Sequence, residues 1–166
     1  MSKSSTVFNI PLLLAYLLGF SALILVIGAR FGKPLVLVEA KSVHIFLSIL
    51  GVPNLLLGNM VYLPDERLSF EITWQCSGMF SISLYTVVYL VFPRVRRNVA
   101  GWLFGASLLY LANFLRIVIA IYLYHRFGEG SFSFFHYTLG PALMFGIVVL
   151  LLGDLLVRGL KEKRQN

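Results

Sequence analysis

Residues 10–29 form twenty consecutive positions without a formal charge. As an α-helix that length crosses the roughly 30 Å of a bilayer core. Three further apolar runs follow, at 78–92, 99–124 and 135–157. They are closed by Pro93 and three arginines, by His125-Arg126, and by Arg158 and its basic neighbours. Composition agrees: 58% of the residues are hydrophobic, against about 45–50% for soluble domains, and mean hydropathy is +0.85. The first run competes with a signal-peptide reading because Lys3 precedes it, but it exceeds a signal core and no small-x-small cleavage pattern ends it. The expectation is an all-α integral membrane protein. Residues 1–166 form a single domain, a bundle of four transmembrane helices.

Between the first two runs the pattern changes. Residues 35–50 are helical in composition but carry Glu39, Lys41, His44 and Ser48. Lys41, His44 and Ser48 share one helical face, which predicts an amphipathic helix lying in the interface; a polar-striped spanning helix is the alternative. Arg30-Phe31-Gly32-Lys33-Pro34 is expected to separate it from the first span. Turn signals follow at Gly51-Val52-Pro53-Asn54 and Gly58-Asn59. Residues 60–75 then offer two β-prone pieces around Pro64-Asp65-Glu66-Arg67. In the second piece Phe70, Ile72 and Trp74 alternate with polar residues, the period of a half-buried strand, so a small extracytoplasmic β-hairpin is expected. Residues 126–135 read as a short aromatic loop with Gly128 and Gly130.

Charge sets the orientation. Lys3, Arg94, Arg96, Arg97, Arg158, Lys161, Lys163 and Arg164 fall on one side, with only Asp154 and Glu162 against them. On the other side Arg30, Lys33, Lys41, Arg67 and Arg126 are balanced by Glu39, Asp65, Glu66, Glu71 and Glu129. The net charge of +7 is therefore an orientation signal, and no nucleic-acid partner is expected. The positive side faces the cytoplasm, which puts both termini inside and residues 30–75 and 125–135 outside. Tyr122, Tyr124, Phe127, Phe132, Phe134, Phe135 and Tyr137 would belt the outer face, and Trp74 and Trp102 would anchor interfaces.

Three chemically costly residues then meet at one level. Cys76, the single cysteine, begins the second span at its outer end. His136 begins the fourth. Arg116 lies nine residues before His125, about 13 Å down the third helix, with Asn113 and Tyr110 on its face. A charge inside a spanning helix costs roughly 2.5–3.5 kcal/mol, so Arg116 is expected to face a wet interior. Snorkelling to headgroups is the bland reading, but it gives no role to Asn113. A lone cysteine is usually a small inert hydrophobe; beside a guanidinium and an imidazole a thiolate nucleophile is favoured. Ser77 and Gly78 would support the site, Gly78 by letting a substrate backbone approach and Ser77 through its amide. His44 and His125 read as interfacial, and Glu71 as a solvated strand residue. One cysteine excludes an intramolecular disulfide and a four-cysteine zinc site, and no metal or cofactor is expected.

Cys76-Ser77-Gly78 opening a span, Asn113-Phe114-Leu115-Arg116 within the next helix, and His136 opening the last together resemble the signatures of the exosortase/archaeosortase family. The resemblance covers residues 51–157. It implies a membrane cysteine peptidase or transpeptidase with Cys76, Arg116 and His136 as catalytic residues and Asn113 as a motif neighbour. Its substrates would be exported proteins with a C-terminal motif, a transmembrane helix and a basic tail, cleaved at the outer face through a thioester, with membrane lipids as surroundings. The chain is shorter than many members of that family. The rival reading is a non-catalytic membrane subunit that binds an anion or lipid headgroup through Arg116.

Overall fold

In the computed structural model, residues 10–91 and 99–165 are described. The expected Lys3 anchor and the Arg94–Arg97 loop lie outside them. The chain begins with one helix, α1 (Ile10–Ile49). It continues through three short strands, β1 (Leu55–Leu57), β2 (Met60–Leu63) and β3 (Leu68–Glu71), and a 3-10 turn, Trp74–Ser77. The helices α2 (Met79–Val91), α3 (Val99–Phe127) and α4 (Glu129–Phe134), a π-helical turn (Phe135–Leu139) and α5 (Gly140–Gln165) complete it.

The expected break at Arg30–Pro34, with a separate interfacial helix over 35–50, is not found. One forty-residue helix, about 60 Å long, passes through Pro34. Pro34 withholds one amide donor, a local cost that packing outweighs. Val36, Ala40, Val43 and Leu47 make a stripe at helical spacing, all buried against Phe114, Ile117, Val118 and Ile121 of α3. The polar face serves the fold rather than an interface. His44 donates from Nδ1 to Asn54 Oδ1 (2.6 Å), and Asn54 donates to Ser48 Oγ (3.2 Å) and the Val52 carbonyl (2.8 Å). These bonds fasten the turn after α1 back onto its last two turns.

The strands form one antiparallel sheet in the order β1-β2-β3. Leu63 pairs with Leu68 across the Pro64–Arg67 turn, and Leu57 with Met60 across Gly58-Asn59. Strand β1 was not anticipated, and β3 ends at Glu71, so Trp74 belongs to the 3-10 turn instead of a strand. Val61, Leu63 and Ile72 point into the α1–α3 core. On the same face Phe70, paired with Val61, meets the aromatic end of the bundle, where it packs edge-on against Tyr124 (5.3 Å) and tilted against Phe132 (5.2 Å). His125 is not simply interfacial: its Nδ1 lies 2.5 Å from Glu66 Oε1, tying the β2–β3 turn to the end of α3.

Residues expected as a loop after Arg126 are largely helical. Gly128, with φ +78°, turns the chain directly into α4, which merges through the π turn into α5. The wide turn has a local cause: Pro141 cannot donate, and the amide of Gly140 bonds instead to the Phe135 carbonyl, five residues back. A second core, formed by Tyr85, Tyr89, Leu109, Met144 and Val148, joins α2, α3 and α5 away from the sheet. Trp102 donates from its indole to Thr86 Oγ1 (3.1 Å), which holds it inside the bundle. Among the described residues, two helical stretches are long and apolar enough to cross a membrane, Val99–Phe127 and Glu129–Asp154, and Met79–Leu90 is a shorter apolar helix. Their outer faces expose large apolar residues such as Phe104, Phe145 and Leu150, the expected surface for contact with lipid.

Candidate active site

Cys76 is carried by the 3-10 turn that links the sheet to α2, so it precedes the helix rather than opening it. Its amide bonds to the Thr73 carbonyl (2.9 Å) and its Sγ lies 3.3 Å from Thr73 Oγ1. The turn is closed by Gly78 at φ +71°, a left-handed position that a residue with Cβ adopts only under strain. From there the chain enters α2, with Ile82 N bonded to the Gly78 carbonyl (3.1 Å). Ser77 is fully buried and donates to the Trp74 carbonyl (2.5 Å). Trp74 lies against α1 where Gly28 and Gly32, one turn apart, leave a trough. A Cβ on Gly28 would come 2.7 Å from the indole, and one on Gly32 would come 3.0 Å from Trp74 Cβ.

The third helix grips this turn. Asn113, buried on α3, donates from Nδ2 to the Cys76 carbonyl. Gly78 makes that approach possible, since a Cβ there would sit 2.8 Å from Asn113 Cβ. The room at Gly78 is thus filled by Asn113 of the protein itself. One turn further along α3, about 4.5 Å, stands Arg116. Its Cγ and Cδ run alongside Gly140, where a Cβ would come within 3.1 and 3.0 Å of them. Its Nε is enclosed and has no hydrogen-bond partner. His136 sits in the π turn just before Gly140, stacked on Phe132 at 5.0 Å and 10°, with Tyr137 edge-on at 4.8 Å. Gly140 follows His136 by four residues, so the Arg116 stem passes one helical turn from the ring.

The five residues therefore fall into two linked groups. Cys76, Gly78 and Asn113 are in direct contact; the Arg116 stem runs against Gly140, one turn after His136. Asn113 and Arg116, a turn apart on α3, join them. The thiol's polar partner is Thr73, and no hydrogen bond connects it to Arg116 or His136. Sequence reasoning missed three contributors. Thr73 stands one turn before the cysteine, and a hydroxyl at that spacing was the available signal. Gly140 opens α5 and also makes room for the arginine stem. Glu39 was counted as an outward charge, yet its relative exposure is 0% and neither carboxylate oxygen has a hydrogen-bond partner. Its register gave it away, since Glu39 lies three residues after Val36 and four before Val43, within the buried stripe of α1.

Two cavities flank the turn. One of about 280 Å³ runs between α1 and α2 past Trp74, Ser77, Ile82 and Thr86. The other, about 410 Å³, opens among Lys33, Asn59, Glu71 and Thr73. Glu71 itself is exposed and accepts from Asn59 Nδ2 (3.2 Å). Among the described residues no cluster of three or more His, Cys, Asp or Glu could hold a metal ion.

The sequence profile of the family described as Transmembrane exosortase (Exosortase_EpsH) matches residues 4–153. The chain belongs to the transmembrane exosortase family. A relative named "Probable archaeosortase E", from Methanocaldococcus jannaschii, is 27% identical over 154 residues, covering 92% of this chain and 79% of that relative. No solved structure matches the chain. The exosortase match spans all four motif residues, Cys76, Asn113, Arg116 and His136, and makes the chain a membrane protein of that family.

Proposed function

We propose that this exosortase-family chain is a membrane-embedded cysteine transpeptidase that cleaves C-terminal sorting signals of exported proteins at the extracytoplasmic face. It crosses the bilayer four times, with both termini in the cytoplasm. Cys76, as the thiolate with its proton on the His136 imidazole, adds through Sγ to the carbonyl carbon of the scissile peptide bond, giving a tetrahedral oxyanion. Collapse breaks the C–N bond and leaves a thioester; the departing amine takes a proton from His136. An incoming nucleophile, deprotonated by the same imidazole, then attacks the thioester and releases the thiolate. Arg116 stabilises the negative charge that appears on sulfur and oxygen, in a site shielded from bulk water. Asn113 holds the nucleophile's turn in register with Arg116, and Ser77 and Gly78 fix that turn's shape. The substrate reaches the thiol through the cavity at Lys33, Asn59, Glu71 and Thr73, which leads to Cys76 through its hydroxyl neighbour.

The observation that carries this reading is the bond from Asn113 to the Cys76 carbonyl. It ties the turn that carries Cys76 to the helix that bears the half-buried Arg116. The test is a processing assay on a reporter fused to the C-terminal segment of a candidate substrate encoded in the same genome. Wild type shortens the reporter, and Cys76→Ala and His136→Ala leave it intact. Undiminished shortening by Cys76→Ala overturns the proposal.

A further inference from the structure

The buried acid on α1 is not used in the steps above. Glu39 has 0% exposure, and both carboxylate oxygens are enclosed without a hydrogen bond. No substrate atom can reach them, so any effect on the reaction passes through a neighbour. A carboxylate stranded in this way is expensive unless a countercharge faces it. The candidates come from the elements packed on α1 at this level. Arg116 of α3 stands between Phe114 and Ile117, which pack in one cluster with Val36, Ala40 and Val43 around Glu39, so the cation lies on the helix that covers the acid; no hydrogen bond joins the carboxylate to the enclosed Nε. Tyr110 lies further along the same helix, and His136 lies one turn before Gly140, against which the Arg116 stem runs.

Arg116 has the complementary need. Its stem is confined by Gly140, its Nε is enclosed and unpartnered, and the residue as a whole is half-buried. A guanidinium in this setting is held by charge behind it and presents its remaining N–H groups forward. From this we infer that Glu39 is the countercharge of Arg116, a positioning residue that holds the guanidinium from its enclosed side and keeps the buried pair neutral. The inference rests on the reading of Cys76, Arg116 and His136 as one site.

It is tested on full-length protein in lipid nanodiscs by labelling Cys76 with an anionic sulfonatoethyl and a cationic trimethylammonioethyl methanethiosulfonate. The ratio of the two rate constants reports the local potential and needs no substrate. Glu39→Gln removes a negative charge, and the anionic-to-cationic ratio is expected to rise about threefold or more, the order given by one charge acting over roughly 10–15 Å with screening. Arg116→Gln is expected to lower it by a similar factor. The double variant returns near the wild-type ratio, and Glu39→Asp keeps it. A role in packing alone would not produce shifts of opposite sign that cancel.

If Arg116→Gln lowers the ratio and Glu39→Gln leaves it unchanged, the countercharge assignment is wrong while the site reading stands. If neither variant moves the ratio, Arg116 does not act at Cys76 and the site reading fails. Should Glu39→Gln alone fail to fold, the double variant, which strands no charge, is expected to fold with the wild-type ratio. A double variant that is unfolded, or whose ratio differs, overturns the inference.

Discussion

Replacing Gly78 by alanine separates two costs that the structure assigns to that position. The first is conformational: φ is +71°, and an L-residue held there loses about 1–2 kcal/mol. The second is steric. The new Cβ would stand 2.8 Å from Asn113 Cβ and 3.2 Å from Nδ2, so Asn113 must retreat and its bond to the Cys76 carbonyl is lost, about 1 kcal/mol more. Gly58 provides the control, with φ +65° and no atom within 4 Å of an added Cβ. Gly58→Ala should therefore show the conformational cost alone. For a chain of this size each kcal/mol moves the unfolding midpoint by roughly 2–4 °C. Gly78→Ala should lower it by about 4–12 °C, and Gly58→Ala by about 2–8 °C. The assay is thermal unfolding of the detergent-solubilised protein, repeated in an Asn113→Gly background. There the excess cost of Gly78→Ala should vanish, because Cβ and the amide that it strikes are both gone. Equal shifts for the two glycines, or an excess that survives in Asn113→Gly, would refute the role given to the Gly78–Asn113 contact.

Three further outcomes follow from the same geometry. Arg116→Lys keeps the charge but not the planar fork, and processing should fall at least about 100-fold with the unfolding midpoint little changed, read by reporter cleavage beside a melting curve. Gly140→Val places a side chain where Phe135 O and Arg116 Cδ lie 2.9 and 3.0 Å away; overpacking of this kind costs about 1–3 kcal/mol, and the displaced arginine should slow processing at least about tenfold. His125→Ala removes the tie to Glu66; with both side chains near one-fifth exposed, the stability loss should stay near about 1 kcal/mol, and limited proteolysis should cut the Pro64–Arg67 turn faster.

The candidate site was legible where chemistry is costly. Arg116 and His136 stand out in and beside apolar runs because each carries a solvation cost that lipid-facing residues avoid; Cys76 stands out as the single cysteine, and Asn113 by its helical spacing from Arg116. Glu39 escaped because it shares a short stretch with Lys41, His44 and Ser48, whose exposed polar face drew the eye from the buried stripe of Val36, Ala40, Val43 and Leu47. The same stripe explains the unbroken α1: local signals at Gly32 and Pro34 mark a break, but burial against α3 is a long-range gain that no local signal reports. Strand β1, three leucines between Asn54 and Gly58, has no alternation to betray it, and its identity comes from pairing with β2. The aromatic stretch after Arg126 reads as a loop because of Gly128 and Gly130. Gly128 alone is needed for the turn, and Phe132 is drawn inward onto Phe70 and Tyr124 while Phe134 and Tyr137 stay exposed.

The covalent intermediate is the most direct test. Purified protein is mixed with a peptide spanning the cleavage region of a reporter that it processes, quenched in acid before an acceptor is added, and examined by intact and fragment mass spectrometry. The account predicts an acyl adduct on Cys76, removed by neutral hydroxylamine and absent from Cys76→Ala. Peptide cleavage without that adduct, or an adduct on any other residue, would contradict it.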